Sequence, residues 1–284
     1  MMEQTVWTVS EEQKAQIQDW MAEFREKGYL VLPGVLPAEK VARLNAAVDE
    51  ILAGEPDSLA YNIYNSVERH PEIAELIDEP TVLPLIVNLL GYNIQLHISH
   101  LTIRKPNPNN EKTASHSFIN WHQDGPHPQF PRIGGVTSTY YIKTCYILSD
   151  MSQPNRGNTK VLPGSHNKPF QPQHTDVNGV LEGEVQVCGR PGDVFVFAQN
   201  LWHSGAPNHS EFTRRQLFLG YSPIWMRPID YRTASQRLLL DATPIRRQLL
   251  GVIDENPFKY YVPGDALLPL KSLYFGGGEH SVYE

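Results

Sequence analysis

The chain has 284 residues, with 24 Lys and Arg against 31 Asp and Glu and a formal net charge of −7. That length admits one large domain or two ordinary ones, and an acidic balance without any basic run argues against a nucleic-acid or polybasic membrane-binding surface as its main business. Two cysteines, Cys145 and Cys188, give no disulfide framework, MMEQTVWTVSEEQKAQ lacks the basic start and apolar stretch of a secretory signal, and no stretch approaches about 18 consecutive apolar residues, so a reducing, cytoplasmic setting without a membrane span is expected.

In chain order, Glu11 to Lys27 places Ile17, Trp20, Met21 and Phe24 at spacings of three and four, after Ser10 as an N-cap candidate and before Gly28. This predicts a helix. GYLVLPGVL (28–36) reads as a short β run broken by Pro33 and Gly34. A second helix is predicted from Ala38 to Ala53, with Val41, Leu44, Ala47, Val48 and Leu52 on one face and Gly54 as its stop, and a further short helix over 80–90. The character then changes to β, with runs at 93–104, 137–148, 160–162, 185–187, 193–198 and 215–221 bounded by clusters such as KPNPNN and RPGD. Strands in succession without helical periods between them favour antiparallel pairing. From 230 to 253 the pattern turns helical again, interrupted by Pro244. No repeat or linker divides the chain, which reads as one mainly β domain with flanking helices over 1–284: a helical N-terminal region (1–90), a jelly-roll core (91–222) and a helical C-terminal region (223–284).

The most informative segment is Trp121-His122-Gln123-Asp124-Gly125, in a strand or at a strand edge. A spacing of two on a strand puts His122 and Asp124 on one face, where imidazole nitrogen and carboxylate oxygen can reach one metal ion. Alone the pair is weak, because an exposed polar strand end looks the same. His203, in Leu201-Trp202-His203-Ser204-Gly205 after the strand signal at 192–197, lies far enough along to come from a facing strand. Two histidines and one carboxylate make the facial triad of non-haem Fe(II) oxygenases, with adjacent positions open for co-substrate and O2. A closed zinc site would want four ligands, usually with cysteine, and neither Cys145 nor Cys188 has a CxxC partner. Arg214 and Arg215 follow His203 closely, and a guanidinium suits the far carboxylate of a 2-oxo diacid. As strand neighbours they point to opposite faces, so only one can turn inward; considered without the histidine, they read as solvated residues at a strand entrance.

At these residues the chain resembles the phytanoyl-CoA dioxygenase family of Fe(II)- and 2-oxoglutarate-dependent oxygenases. The resemblance rests on WHQDG at 121–125, Gly157 followed by KVLPGSH at 160–166, PGDVFVF at 191–197, HSGAPNHS at 203–210 with the arginine pair after it, and GYLVLPGVL near the start. It implies a double-stranded β-helix, His122, Asp124 and His203 as iron ligands, and Arg214 on the C5 carboxylate of 2-oxoglutarate. It further implies Fe(II), 2-oxoglutarate and O2 as cofactors, and an oxidoreductase that releases succinate and CO2 while hydroxylating an unactivated C–H bond of a small-molecule metabolite. Related halogenases lack the carboxylate, so Asp124 favours hydroxylation over halogenation; desaturation, epoxidation and rearrangement stay open.

Other residues carry plainer readings. His166 belongs to a structural turn at Pro163-Gly164, and His97 and His100, three apart on a strand, face opposite ways and cannot both be ligands. His116 and His127 flank the motif as loop histidines. The aromatics of 113–141 lie at the barrel mouth, either stacking on a ligand or packing the rim. The absence of a dense basic cluster favours a free small molecule over a CoA ester. Two other functions compete: a non-catalytic binding or sensing protein on the same fold, and a zinc hydrolase, which gives Arg214 no task.

Overall fold

Ser10 opens helix α1 (Glu11–Lys27) in the computed structural model, which describes residues 8–107, 121–125, 132–169, 180–231, 233–253 and 268–275. Its hydroxyl accepts from Gln13 N at 3.1 Å while the Gln13 side chain accepts from Ser10 N at 2.9 Å, a reciprocal cap that fixes where the helix begins. Ile17, Met21 and Phe24 are buried, as the spacing predicts. Gly28 ends the helix at φ 80°, and a Cβ there would lie 2.5 Å from His166 Nδ1, so glycine is required twice over. Strand β1 (Tyr29–Leu32) follows, then α2 (Ala38–Ala53), whose buried face is completed by Ile51 where Leu52 was expected.

After β2 (Ala60–Tyr64), α3 (Pro71–Ala74) and α4 (Leu83–Leu90) come β3 (Ile94–Arg104), the two-residue strands β4 (Arg132–Ile133) and β5 (Val136–Thr137), and β6 (Ile142–Ile147). The remaining strands are β7 (Thr159–Val161), β8 (Val185–Gln186), β9 (Val194–Ala198), β10 (His203–Gly205) and β11 (Arg214–Pro223), before α5 (Gln236–Leu239) and α6 (Pro244–Leu249). Six strands form one sheet in the order β1-β9-β6-β11-β3-β2, three form a smaller sheet β10-β7-β8, and β4 pairs with β5. All of these pairings are antiparallel, giving the double-stranded β-helix with flanking helices that the sequence predicts.

Side-chain alternation divides the large sheet into two functions. Leu101 and Ile103 of β3 and Leu217 and Leu219 of β11 join the apolar core shared with α1, α2 and α4. The intervening His100, Thr102 and Arg104 of β3, and Arg214, Gln216 and Phe218 of β11, line a cavity of about 260 Å³. Thr159 of β7 and His203, Ser204 and Gly205 of β10 line the same cavity, so it lies between the two sheets.

Several elements differ from the sequence reading. Strand β1 falls in the β run expected at 28–36, whereas β2 lies in the N-terminal region where no further strand was expected, and the 137–148 run is broken, Thr137 ending a small hairpin and the long strand starting at Ile142. The helical pattern expected over 230–253 is broken before Pro244 as expected, but its helices are only two short pieces, and Pro244 starts α6 under the Thr243 cap on Arg246 N. Among the described residues no helix is long and apolar enough to cross a membrane.

Candidate metal and co-substrate site

The WHQDG segment meets β10 and the end of β9 through backbone bonds: His122 N donates to His203 O and His203 N to His122 O, both at 2.9 Å, and Asp124 N donates to Gln199 O, just past β9, at 2.7 Å. An isolated bridge, not a continuous strand, thus sets the direction of these side chains. The His122 and His203 rings lie 4.2 Å apart between centroids. Asp124 Oδ1 is 3.7 Å from His122 Nε2 and its Oδ2 is 3.4 Å from His203 Nε2. One ligand atom from each of the three lies within 4.8 Å of the others.

The electrostatics suit a cation. His203 Nδ1 donates to Leu201 O at 2.8 Å, which places the ring proton there and leaves Nε2 its lone pair towards Asp124. Burial, with His122 adding to it, lowers the His203 pKa to about 3, so the imidazole is neutral and able to ligate. Burial pushes the Asp124 carboxyl up, but the lowering effects, led by the charge of Lys143, outweigh it and hold the group well below its ordinary range. Lys143, which the sequence reading passed over, donates from Nζ to Asp124 Oδ2 at 2.8 Å and sits 5.3 and 5.2 Å over the Phe197 and Phe218 rings. Its signal was present: it is the one charge in the apolar strand IKTCYI.

Arg214 is 8% exposed in the same cavity, and its Nη1 donates to Gln216 Oε1. Gly157 lies flat on its stem; a Cβ there would come within 2.9 Å of Arg214 Cδ. Among the described residues Arg214 has no carboxylate partner, its Nε is buried without a hydrogen bond, and Thr102 Oγ1 in the cavity wall is likewise unpaired. Burial, then the charge of Arg104, lowers the Arg214 pKa to about 9, which leaves it cationic at neutral pH. Arg215 turns to the other face and pairs with Asp49 at 2.6 Å, so the expected division of the two arginines holds. A buried guanidinium and hydroxyl awaiting partners, beside an imidazole-imidazole-carboxylate donor set, fit Fe(II) with a dicarboxylate co-substrate.

The other histidines separate from this centre. His166 is buried in the turn Ser165–Asn167, its carbonyl accepting from Asn200 Nδ2 at 3.0 Å, a structural role as expected. Between Ile98 and Leu96 the register of β3 on β11 slips, leaving His97 without a Cα partner, so the simple alternation expected between His97 and His100 is broken. His97 packs on Tyr141 at 4.8 Å, whereas His100 lines the cavity; neither belongs to the three-residue cluster. His116 and His127 lie outside the described residues. Of the mouth aromatics, Tyr140 packs edge-on against Trp225 and Tyr141 against His97, and neither lines the cavity.

A jelly roll with this donor set defines the class of mononuclear Fe(II) oxygenases. The sequence profile described as phytanoyl-CoA dioxygenase (PhyH) matches residues 24–216, and the chain belongs to that family. It is 25% identical over 237 residues to the probable alpha-ketoglutarate-dependent hypophosphite dioxygenase of Stutzerimonas stutzeri, covering 70% of this chain and 76% of that protein. It is 27% identical over 240 residues to the ectoine dioxygenase of Sphingopyxis alaskensis, covering 72% and 74%. Among solved structures, HygX from Streptomyces hygroscopicus with nickel and 2-oxoglutarate bound aligns over 81% of this chain and 94% of that one, with a TM-score of 0.62 at 18% identity. The protein is an Fe(II)- and 2-oxoglutarate-dependent dioxygenase that uses O2.

Proposed function

We propose that His122, Asp124 and His203 hold the iron, that Arg214 holds the C5 carboxylate of 2-oxoglutarate, and that the enzyme hydroxylates a C–H bond of a free small-molecule metabolite in the cytoplasm. The observation that carries this reading is the opening of the three donors and the uncompensated Arg214 onto one cavity. Iron, when bound, supplies activation of O2 coupled to decarboxylation of 2-oxoglutarate to succinate and CO2.

The chain's own residues do the rest. Leu201 O fixes the His203 tautomer, Lys143 donates to one oxygen of Asp124, and the Phe197 and Phe218 rings keep apolar surface against that pair. Gly157 lets the Arg214 stem lie close to the wall, so that the guanidinium faces the cavity without a protein counter-charge. A zinc hydrolase would leave that buried cation unexplained, which favours the oxygenase. HygX has been crystallised with hygromycin B and SnoN with nogalamycin RO, and a metabolite of comparable polarity fits a cavity lined by Asn62, Thr102 and Asn107.

The test is succinate release over a metabolite collection, with product followed by mass spectrometry. A substrate-dependent gain of one oxygen atom is expected. Asp124→Gly removes the anionic donor and should lower hydroxylation steeply, by about a hundredfold or more. Wild-type turnover in that variant would remove Asp124 from the metal site.

A further inference from the structure

Three alternate residues of β3, His100, Thr102 and Arg104, line the cavity, and His100 is held there by a buried carboxylate. The segment after β11 runs back along β3: Ile224 N donates to Asn93 O, Ile229 N to His97 O, and Tyr231 Oη to Leu96 O, at 3.1, 2.9 and 2.7 Å. That path delivers Asp230, whose side chain is 1% exposed. Its Oδ2 accepts from Ser99 N at 2.6 Å and Asn65 N at 3.3 Å, and its Oδ1 lies 2.8 Å from His100 Nε2.

A carboxylate committed in this way only accepts, so Nε2 of His100 carries a proton, and in the neutral imidazole Nδ1 keeps the lone pair. Among the described residues Nδ1 has no hydrogen-bond partner. Tyr64, itself 59% exposed, stands edge-on to the ring at 4.7 Å. The neutral imidazole, held by Asp230 and lining the cavity, thus offers an acceptor there, with the Tyr64 ring beside it.

We propose that His100 accepts a hydrogen bond from a hydroxyl group of the substrate, that Asp230 is the positioning residue that makes it an acceptor, and that the substrate is a cyclic alcohol, neutral or anionic, rather than an amine. The proposal rests on the oxygenase reading of the same cavity. Charge decides between the two kinds of donor: among the described lining residues, Arg104, Lys143 and Arg214 stand against one carboxylate, Asp124, while Lys105 pairs with Asp57, so an ammonium donor is repelled where a hydroxyl is not. The exposed Tyr64 ring at the cavity wall favours a ring on the substrate.

The experiment measures succinate release by the iron-loaded protein over a panel of cyclic alcohols, each paired with its O-methyl ether and its amine counterpart. Wild type, His100→Leu, His100→Gln and Asp230→Asn are compared, and 2-oxoglutarate affinity is measured separately by calorimetry on zinc-loaded protein. Alcohols are expected to trigger release about tenfold better than the ethers or amines in wild type, the difference one hydrogen bond makes. His100→Leu should erase that preference, and His100→Gln, which keeps an acceptor, should retain part of it. In Asp230→Asn the amide can donate to Nε2, moving the ring proton to Nδ1, which alcohol and ether oxygens accept alike, so the preference should disappear; the 15N shifts of His100 report the tautomer directly. Equal response to alcohol and ether in wild type, a preference that survives His100→Leu, or an unchanged tautomer in Asp230→Asn overturns the proposal. Loss of 2-oxoglutarate binding in His100→Leu alone assigns His100 to the co-substrate and also overturns it. Normal 2-oxoglutarate binding with no alcohol active overturns the substrate class and leaves the oxygenase reading standing, whereas wild type that binds no 2-oxoglutarate sinks both.

Discussion

Arg214 is a guanidinium enclosed without a counter-charge among the described residues, and such a group is stable only if a ligand completes it. Arg214→Lys replaces a two-donor fork by a point charge, so the 2-oxoglutarate affinity should fall by roughly 1.5–3 kcal/mol, about ten- to a hundredfold. Arg215→Lys, on the face that pairs with Asp49, should leave it within about twofold. Calorimetric titration of 2-oxoglutarate into the metal-loaded variants decides; the reverse order of effects would exchange the two roles. At this scale the sequence was informative where chemistry is rare and mute where it is common. His122, Asp124 and His203 stand out because two imidazoles and a carboxylate in such motifs have few other uses. Lys143 and the His100–Asp230 pair do not, since a lone lysine in a strand, or a His and an Asp 130 residues apart, signals nothing until the fold brings it to the cavity.

Elements position these groups through a few backbone constraints. Gly157 adopts φ 75°, and its bare Cα is what lets Arg214 lie against it. Gly157→Ala places a methyl in a left-handed conformation and against the arginine stem. It should cost roughly 1–2 kcal/mol of stability and weaken 2-oxoglutarate binding as well. Urea denaturation and the same titration check both; a variant with wild-type values in each would show that the loop accommodates a side chain without moving Arg214. The helices were legible because their ends carry chemistry, Ser10 with Gln13 at one end of α1 and Gly28 at the other. Short edge strands were not. The sequence AYNIY of β2 has only one fully buried residue, and β10 has only three residues, so neither offers enough alternation to be read before its partner is known. At the C-terminal end the break at Pro244 was legible, whereas Thr243 as the cap of the helix that Pro244 begins was not.

Over the whole molecule, the buried histidines make the fold sensitive to acid. Burial lowers the His97 pKa to about 4, with Asp230 pulling it up and His100 and Lys143 pushing it down, and burial lowers His166 too. Because the folded value lies below the unfolded 6.5, the unfolded chain takes up the proton first. The contribution of His97 is full above about pH 6.5 and is lost as the pH falls towards 4, on the order of 3 kcal/mol. Urea midpoints between about pH 7 and pH 4.5 should therefore fall less steeply in His97→Gln than in wild type; parallel curves would remove His97 as the cause. The architecture itself was readable from the succession of strands without intervening helices. The division of the large sheet into a core face and a cavity face was not, because both faces of β3 and β11 are rich in buried residues and only the register assigns them.

The central claim is that one metal ion sits between His122, Asp124 and His203. Its most direct test is the iron content of anaerobically loaded, desalted protein, wild type against His203→Ala, in the presence of 2-oxoglutarate and with folding confirmed by circular dichroism. The account predicts about one iron per chain in wild type and less than about a tenth of that in the folded variant. Equal iron in both would contradict it and place the metal elsewhere.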